Sequence, residues 1–187
     1  MAFPSWIIES DAWLTDVIYL LDDELRFVDC NPAWDAFAAE NGGRSISRPE
    51  IKGRLILDFV PDVLRTFYVH KYWFAKRAAG WTQLDYDCSS PEKIRLFRMA
   101  MMAVGERLLV TNHLRLEEAC EVRPPLTDEQ AASYISPGGL VAMCANCRKT
   151  RQVKSETQWD WIPEMLRRDA SKVTHSLCPR CLAYLYG

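Results

Sequence analysis

Asp16 to Trp34 reads D-V-I-Y-L-L-D-D-E-L-R-F-V-D-C-N-P-A-W, and the fold is decided here. Asp16 to Asp22 is an apolar run containing β-branched and aromatic residues, the composition of a strand. Asp22-Asp23 supplies a polar turn rather than a metal-binding or acid/base pair, and Arg26 to Asp29 is the hairpin partner. Asn31-Pro32 then opens a helix: the Asn side chain can accept from free backbone amides, and Pro has its φ already set for the first helical position. That helix puts Trp34, Phe37 and Ala38 on one face and ends at Asn41-Gly42-Gly43, residues that tolerate a left-handed exit.

Further along, Pro61 to Ala79 has helical periodicity, with Val63, Phe67, Trp73 and Phe74 near one face and Gly80 as a stop. Trp81 to Cys88 alternates, Leu84, Tyr86 and Cys88 against Gln83, Asp85 and Asp87, as a half-buried strand does. Ile94 to Val104 and Leu108 to Leu116 are apolar runs joined by Gly105-Glu106. These pieces predict an α+β fold: a five-stranded antiparallel sheet with flanking helices.

The order strand, turn, strand, Asn-Pro helix, with C-N-P-A-W at Cys30 to Trp34 and G-R-L-I-L-D-F-V at Gly53 to Val60 leading into the long helix, resembles a PAS domain. The resemblance covers about Asp11 to Leu116. It implies a pocket enclosed by sheet and helices, open to small ligands, haem, flavin or protein partners. Haem-binding PAS sensors take their proximal His from the corresponding long helix, which makes His70 the candidate cofactor-binding residue; the alternative is a packed or interface histidine. Flavin photochemistry through a cysteine adduct lacks its N-C-R-F-L-Q-type run, and Cys30 lies in the strand-to-helix turn instead.

The C-terminal part carries C-A-N-C at Cys144 to Cys147, thirty intervening residues, and C-P-R-C at Cys178 to Cys181. Two thiolates two residues apart can converge on one ion from a single turn, and two such pairs complete a tetrahedral shell. Structural Zn2+ is the expected ion; iron, an iron-sulfur cluster and redox dithiols share the same donor set. His175, three residues before Cys178, is a candidate fifth ligand or a hydrogen-bonding neighbour, and Trp159, Trp161, Met165 and Leu166 are expected to pack around the site. A tail this small has little interior, so metal is expected to hold it folded. C-A-N-C-R-K-T-R, the Trp-containing segment at Gln158 to Leu166 and T-H-S-L-C-P-R-C resemble a short cysteine module found after sensory or receiver domains in bacterial signalling proteins. Thr174-His175-Ser176 departs from that module's Ser-His-Gly run.

The expected domains are 11–116, PAS-like; 117–138, a linker broken at Arg123-Pro124-Pro125 with a Thr127/Gln130 capping box; and 139–187, the zinc module. The 187-residue chain nets −2, but from Gly139 onward eight Lys/Arg face four Asp/Glu, leaving the rest at −6. Those cations are interspersed with acids, so a solvated surface is favoured over a nucleic-acid footprint. No apolar run approaches the roughly 20 residues that span a bilayer. No basic segment precedes the short apolar start, so no signal peptide is expected. Cys30, Cys88 and Cys120, scattered and outside the metal set, suit a reducing cytoplasm. No phosphate-binding or dinucleotide glycine pattern and no βαβ context for a redox dithiol is present, so no enzyme is expected. The function predicted is a cytoplasmic, bacterial-type sensory or regulatory protein. Its PAS-like part senses a small ligand or partner, and its zinc-stabilised tail engages a protein of a signalling pathway, with homodimerisation implied by the resemblance. A haem-based gas or redox sensor using His70, and a nucleic-acid-binding regulator using the basic tail, are the alternatives.

Overall fold

The computed structural model describes residues 3–41, 43–120 and 125–187, so Gly42 and Arg123-Pro124 of the expected breaks lie outside the described residues. Two short helices, α1 (Ser5–Ile8) and α2 (Ala12–Thr15), precede β1 (Val17–Leu21) and β2 (Phe27–Cys30). Helices α3 (Pro32–Glu40), α4 (Arg48–Ile51) and α5 (Asp62–Arg77) follow, then β3 (Thr82–Asp87), β4 (Lys93–Val104) and β5 (Arg107–Ala119). The strands form one sheet in the order β2-β1-β5-β4-β3, with β1 antiparallel to both neighbours. This is the five-stranded antiparallel sheet with flanking helices that a PAS-like fold requires. Gly105 turns β4 into β5 at φ 59°, a left-handed value that costs glycine nothing.

Strand β1 is covered on both faces, which is why it is nearly all apolar rather than alternating. Ile18 and Leu20 pack with Phe3, Ile7 and Leu109. From the opposite face Tyr19 stacks against Phe27 at 5.2 Å and Trp34 at 5.7 Å, and Phe27 meets Phe59 at 6.0 Å. Burial pushes the Tyr19 phenol up to about 12, against the hydrogen bonds it makes with Tyr72 and Asn112. Each fully buried large side chain in this set contributes roughly 1.5–3 kcal/mol.

Asn31 caps α3 with Pro32 at the first helical turn, as its sequence predicts; its Oδ1 accepts from Trp34 N at 3.3 Å. At the helix exit Asn41 (φ −106°) and Gly43 (φ −85°) have negative φ, Gly42 between them lies outside the described residues, and Asn41 Nδ2 donates to the Phe37 carbonyl at 2.8 Å. Burial alone would push the Asp29 carboxyl up, but hydrogen bonds from Arg48 and from the Cys30 amide hold it below its ordinary value.

The face of α5 also differs from the expected one. Leu64, Tyr72 and Ala75 are buried, whereas Val63, Trp73 and Phe74 stand exposed. The helix bears apolar residues on two sides; Tyr72 on the buried side hydrogen-bonds Tyr19, and Lys76 pairs with Asp23 and donates to the Asp22 carbonyl.

The remaining elements are α6 (Asp128–Ala132), β6 (Val141–Cys144), β7 (Thr150–Arg151), β8 (Trp159–Asp160), α7 (Pro163–Leu166), β9 (Val173–Ser176) and α8 (Pro179–Tyr186). Thr127 and Gln130 form the expected capping box at α6, with bonds of 3.2 and 2.9 Å. A second sheet runs β8-β7-β6-β9, in which β6 and β9 are parallel and the other pairs antiparallel. Its own core is Val141, Met143 and Met165, backed by Leu126, Ala131, Tyr134 and Ile135. The chain divides into two compact units, 1–60 with 68–85 and 97–115, and 61–67 with 86–96 and 116–187. Within the second, Tyr186 Oη donates to the Val63 carbonyl at 3.2 Å, and Arg167 pairs with Glu92 at 2.8 Å.

Candidate metal centre

Strands β6 and β9 pair in register from Val141↔Val173 to Cys144↔Ser176, running the same way. Parallel pairing therefore delivers both cysteine turns to one end of the sheet, although they are thirty residues apart in the chain. The first turn leaves β6 at Cys144, whose carbonyl accepts from Arg148 N at 3.0 Å, and returns with Cys144 N donating to Lys149 O at 2.8 Å. Arg148 adopts φ 61° to close it. In the second turn Cys178 is the N-cap of α8 with Pro179 at the first helical turn, and its Sγ accepts from Cys181 N at 3.5 Å.

The sulfur atoms of Cys144, Cys147, Cys178 and Cys181 all lie within 4.8 Å of one another. Cys147 and Cys178 are 3.8 Å apart, and all four are free thiols. A regular tetrahedron with a Zn–S bond of ~2.3 Å has edges of about 3.8 Å, whereas a disulfide bond is about 2.05 Å long. Cys144, Cys178 and Cys181 are buried, with Trp159 and Leu177 packed against them. The donor set and its spacing fit a tetrahedral divalent ion.

The hydrogen bond from the Cys147 thiol, together with backbone amides of Cys147, Cys178 and Asn146, draws the Cys144 thiol below its ordinary value, while Cys147, bonded to it, and Cys181, by burial, are pushed up. Metal ligation requires thiolates, so an ion bound here would displace the protons these sulfurs otherwise hold. Cys178 N donates to Cys144 Sγ at 3.4 Å, and Asn146 Nδ2 donates to Cys181 Sγ at 3.4 Å, spreading sulfur charge into the surroundings. The role of Asn146 was missed in the sequence, because an Asn inside a two-residue turn reads as a turn former.

His175 lies on β9 opposite Met143, exposed and outside the cluster of metal-competent thiols. Of the residues expected around the site, Trp159 packs on the cysteines, while Met165 and Leu166 belong to the neighbouring apolar core. His70 is exposed on α5 and lines a surface groove of about 530 Å³ with Val69, Trp73, Phe74 and Arg77. Among the described residues no helix is long and apolar enough to cross a membrane.

A left-handed φ costs a residue with a Cβ roughly 1–2 kcal/mol. Arg148→Gly is therefore expected to raise the stability of this lobe by about 1 kcal/mol, read as a later midpoint in denaturant. An unchanged or earlier midpoint would mean that the Arg148 side chain contributes more than its backbone costs.

No family model matches the chain, and no curated protein matches it. Two solved structures are similar in fold. A domain of an HTR-like protein from Haloarcula marismortui is 11% identical, with a TM-score of 0.42 over 54% of this chain and 98% of that one. A sensory box sensor histidine kinase from Vibrio cholerae is 11% identical, with a TM-score of 0.40 over 60% of this chain and 89% of that one.

Proposed function

We propose that this chain is a sensory or regulatory protein. Its PAS-like domain, residues 11–116, takes up a small ligand or a partner, and its tail, residues 139–187, is a zinc-stabilised module that engages a protein of a signalling pathway. The reading gives the chain no catalysis of its own. The observation that carries it is the convergence of Cys144, Cys147, Cys178 and Cys181 in a small sheet joined to a PAS-like fold. Bound Zn2+ would act there as a cross-link. A reducing, cytoplasmic setting belongs to this reading, since Cys30, Cys88 and Cys120 are scattered singly through the sequence.

Elemental analysis of the purified full chain, taken with its visible spectrum, tests this. One zinc per chain and a featureless visible region are expected. Iron in place of zinc would overturn the structural-zinc reading, and a Soret band lost on changing His70 would move the protein to the haem-sensor reading. Tight, steeply salt-dependent binding of duplex DNA would replace the protein-partner role of the tail with the nucleic-acid one.

A further inference from the structure

On α5, the residues Val69, Trp73 and Arg77 form one row at four-residue spacing, and His70 and Phe74 form the next, with Ala78 just past the end of the helix. Rows of this kind are the ridges between which a second helix seats its own side chains. All six line the same groove, about 530 Å³, and its helical part, Val69 to Arg77, is about 12 Å long at 1.5 Å per residue. Trp73 is 40% exposed and Phe74 66%, an unusual presentation for two adjacent large aromatics.

The charge around the groove is one-sided. No carboxylate lines it. Arg77 lies 6.0 Å from the Trp73 ring and forms no ion pair among the described residues, while Lys76, 5.4 Å from the same ring, is already committed to Asp23. This basic, aromatic strip sits in a stretch, residues 1–138, that carries fifteen Lys/Arg against twenty-one Asp/Glu. Arg77 meets no carboxylate among the described lining residues, so the complementary occupant is one that supplies an acidic side chain there.

We propose that this face of α5 docks an amphipathic helix of a partner protein, its apolar side chains entering between the two ridges around Phe74 and its Asp or Glu side chains meeting Arg77 and His70. None of the six residues belongs to the cysteine-bearing tail, and the proposal goes beyond the role proposed for that tail.

The test uses the full chain and a fluorescein-labelled 18-residue helical peptide with Leu at the i, i+4 positions and Glu on both flanks. A matched peptide with Lys for every Glu is the control. Saturable anisotropy is expected for the Glu peptide only, weakening with salt. Phe74→Ala and Arg77→Glu, both at exposed positions, should each raise Kd at least tenfold with unchanged circular dichroism. Equal binding of the Lys peptide, no binding of the Glu peptide, or indifference to both substitutions would overturn the proposal. Self-association abolished by Phe74→Ala would assign the face to a second copy instead, and binding to phosphatidylserine vesicles abolished by Arg77→Glu would assign it to an anionic membrane.

Discussion

Serine in place of Cys178, or exhaustive chelation of the unaltered chain, is expected to strip hydrogen-exchange protection from β6, β7 and β9. The core beneath them has three buried side chains, Val141, Met143 and Met165. The rest of that core is only partly buried, and metal ligation by four thiolates, which contributes on the order of 10 kcal/mol in comparable small domains, is expected to decide whether this lobe is folded. Cys88→Ser, outside the cluster, is the control and should leave both metal content and protection unchanged. Because all four ligands bind metal as thiolates, protons compete for them, and the lobe should lose its ion as pH falls. Full protection persisting in Cys178→Ser protein, or in chelated protein, would show that the core alone suffices.

The second large effect is expected at Asn31, which is fully buried and uses its whole side chain. Oδ1 accepts from Ile18 N at 2.9 Å and from Trp34 N at 3.3 Å. Nδ2 donates to the carbonyls of Trp13 and Asp16, each at 2.8 Å. One amide thereby ties the end of α2, the start of β1 and the first turn of α3 together. Alanine here removes the cap and strands these buried groups, at a cost of about 3 kcal/mol and a fall in Tm on the order of 10 °C. An aspartate in its place would keep the cap but aim a carboxylate at two carbonyl oxygens, so Asn31→Asp should be no better than Asn31→Ala. Thermal unfolding of both variants checks this; losses under about 0.5 kcal/mol would contradict the assigned role.

Asn31 also marks how far the sequence could be read. Its capping role is local, carried by the Asn-Pro pair and by a residue three positions on, and it was legible. Its two donations reach 15 and 18 residues back, and no local pattern announces a contact of that separation. The strands of the sheet were legible because β1 is continuously apolar and β4 and β5 are long. The buried face of α5 was not, because Trp73 and Phe74 are as apolar as Tyr72 and Ala75, and the contacts of the helix that mark its buried side, among them the Lys76 pair with Asp23 and the Tyr72 hydrogen bond with Tyr19, are made to residues distant in the chain. In the tail, the cysteine spacing identified all four thiols that converge. Thr174-His175-Ser176, a departure from the module's Ser-His-Gly run, carries no apolar alternation to announce a strand, yet with Val173 it forms β9, whose direction brings the second pair to the first. The segment around Leu126 to Ile135 reads as connection, although it backs the tail's core.

That parallel pairing explains the long gap between the two cysteine pairs. When two strands leaving in the same direction fix where the thiols arrive, the excursion joining them has to be long enough to come back round, and nothing in the geometry sets an upper bound. Closing a loop of this size costs only about 0.6 kcal/mol more for each doubling of its length. The loops between Cys147 and Cys178 that lie outside β7, β8, α7 and β9 are therefore where insertions are cheap, and what the lobe has to keep is the heading of two short strands and the two-residue step within each pair.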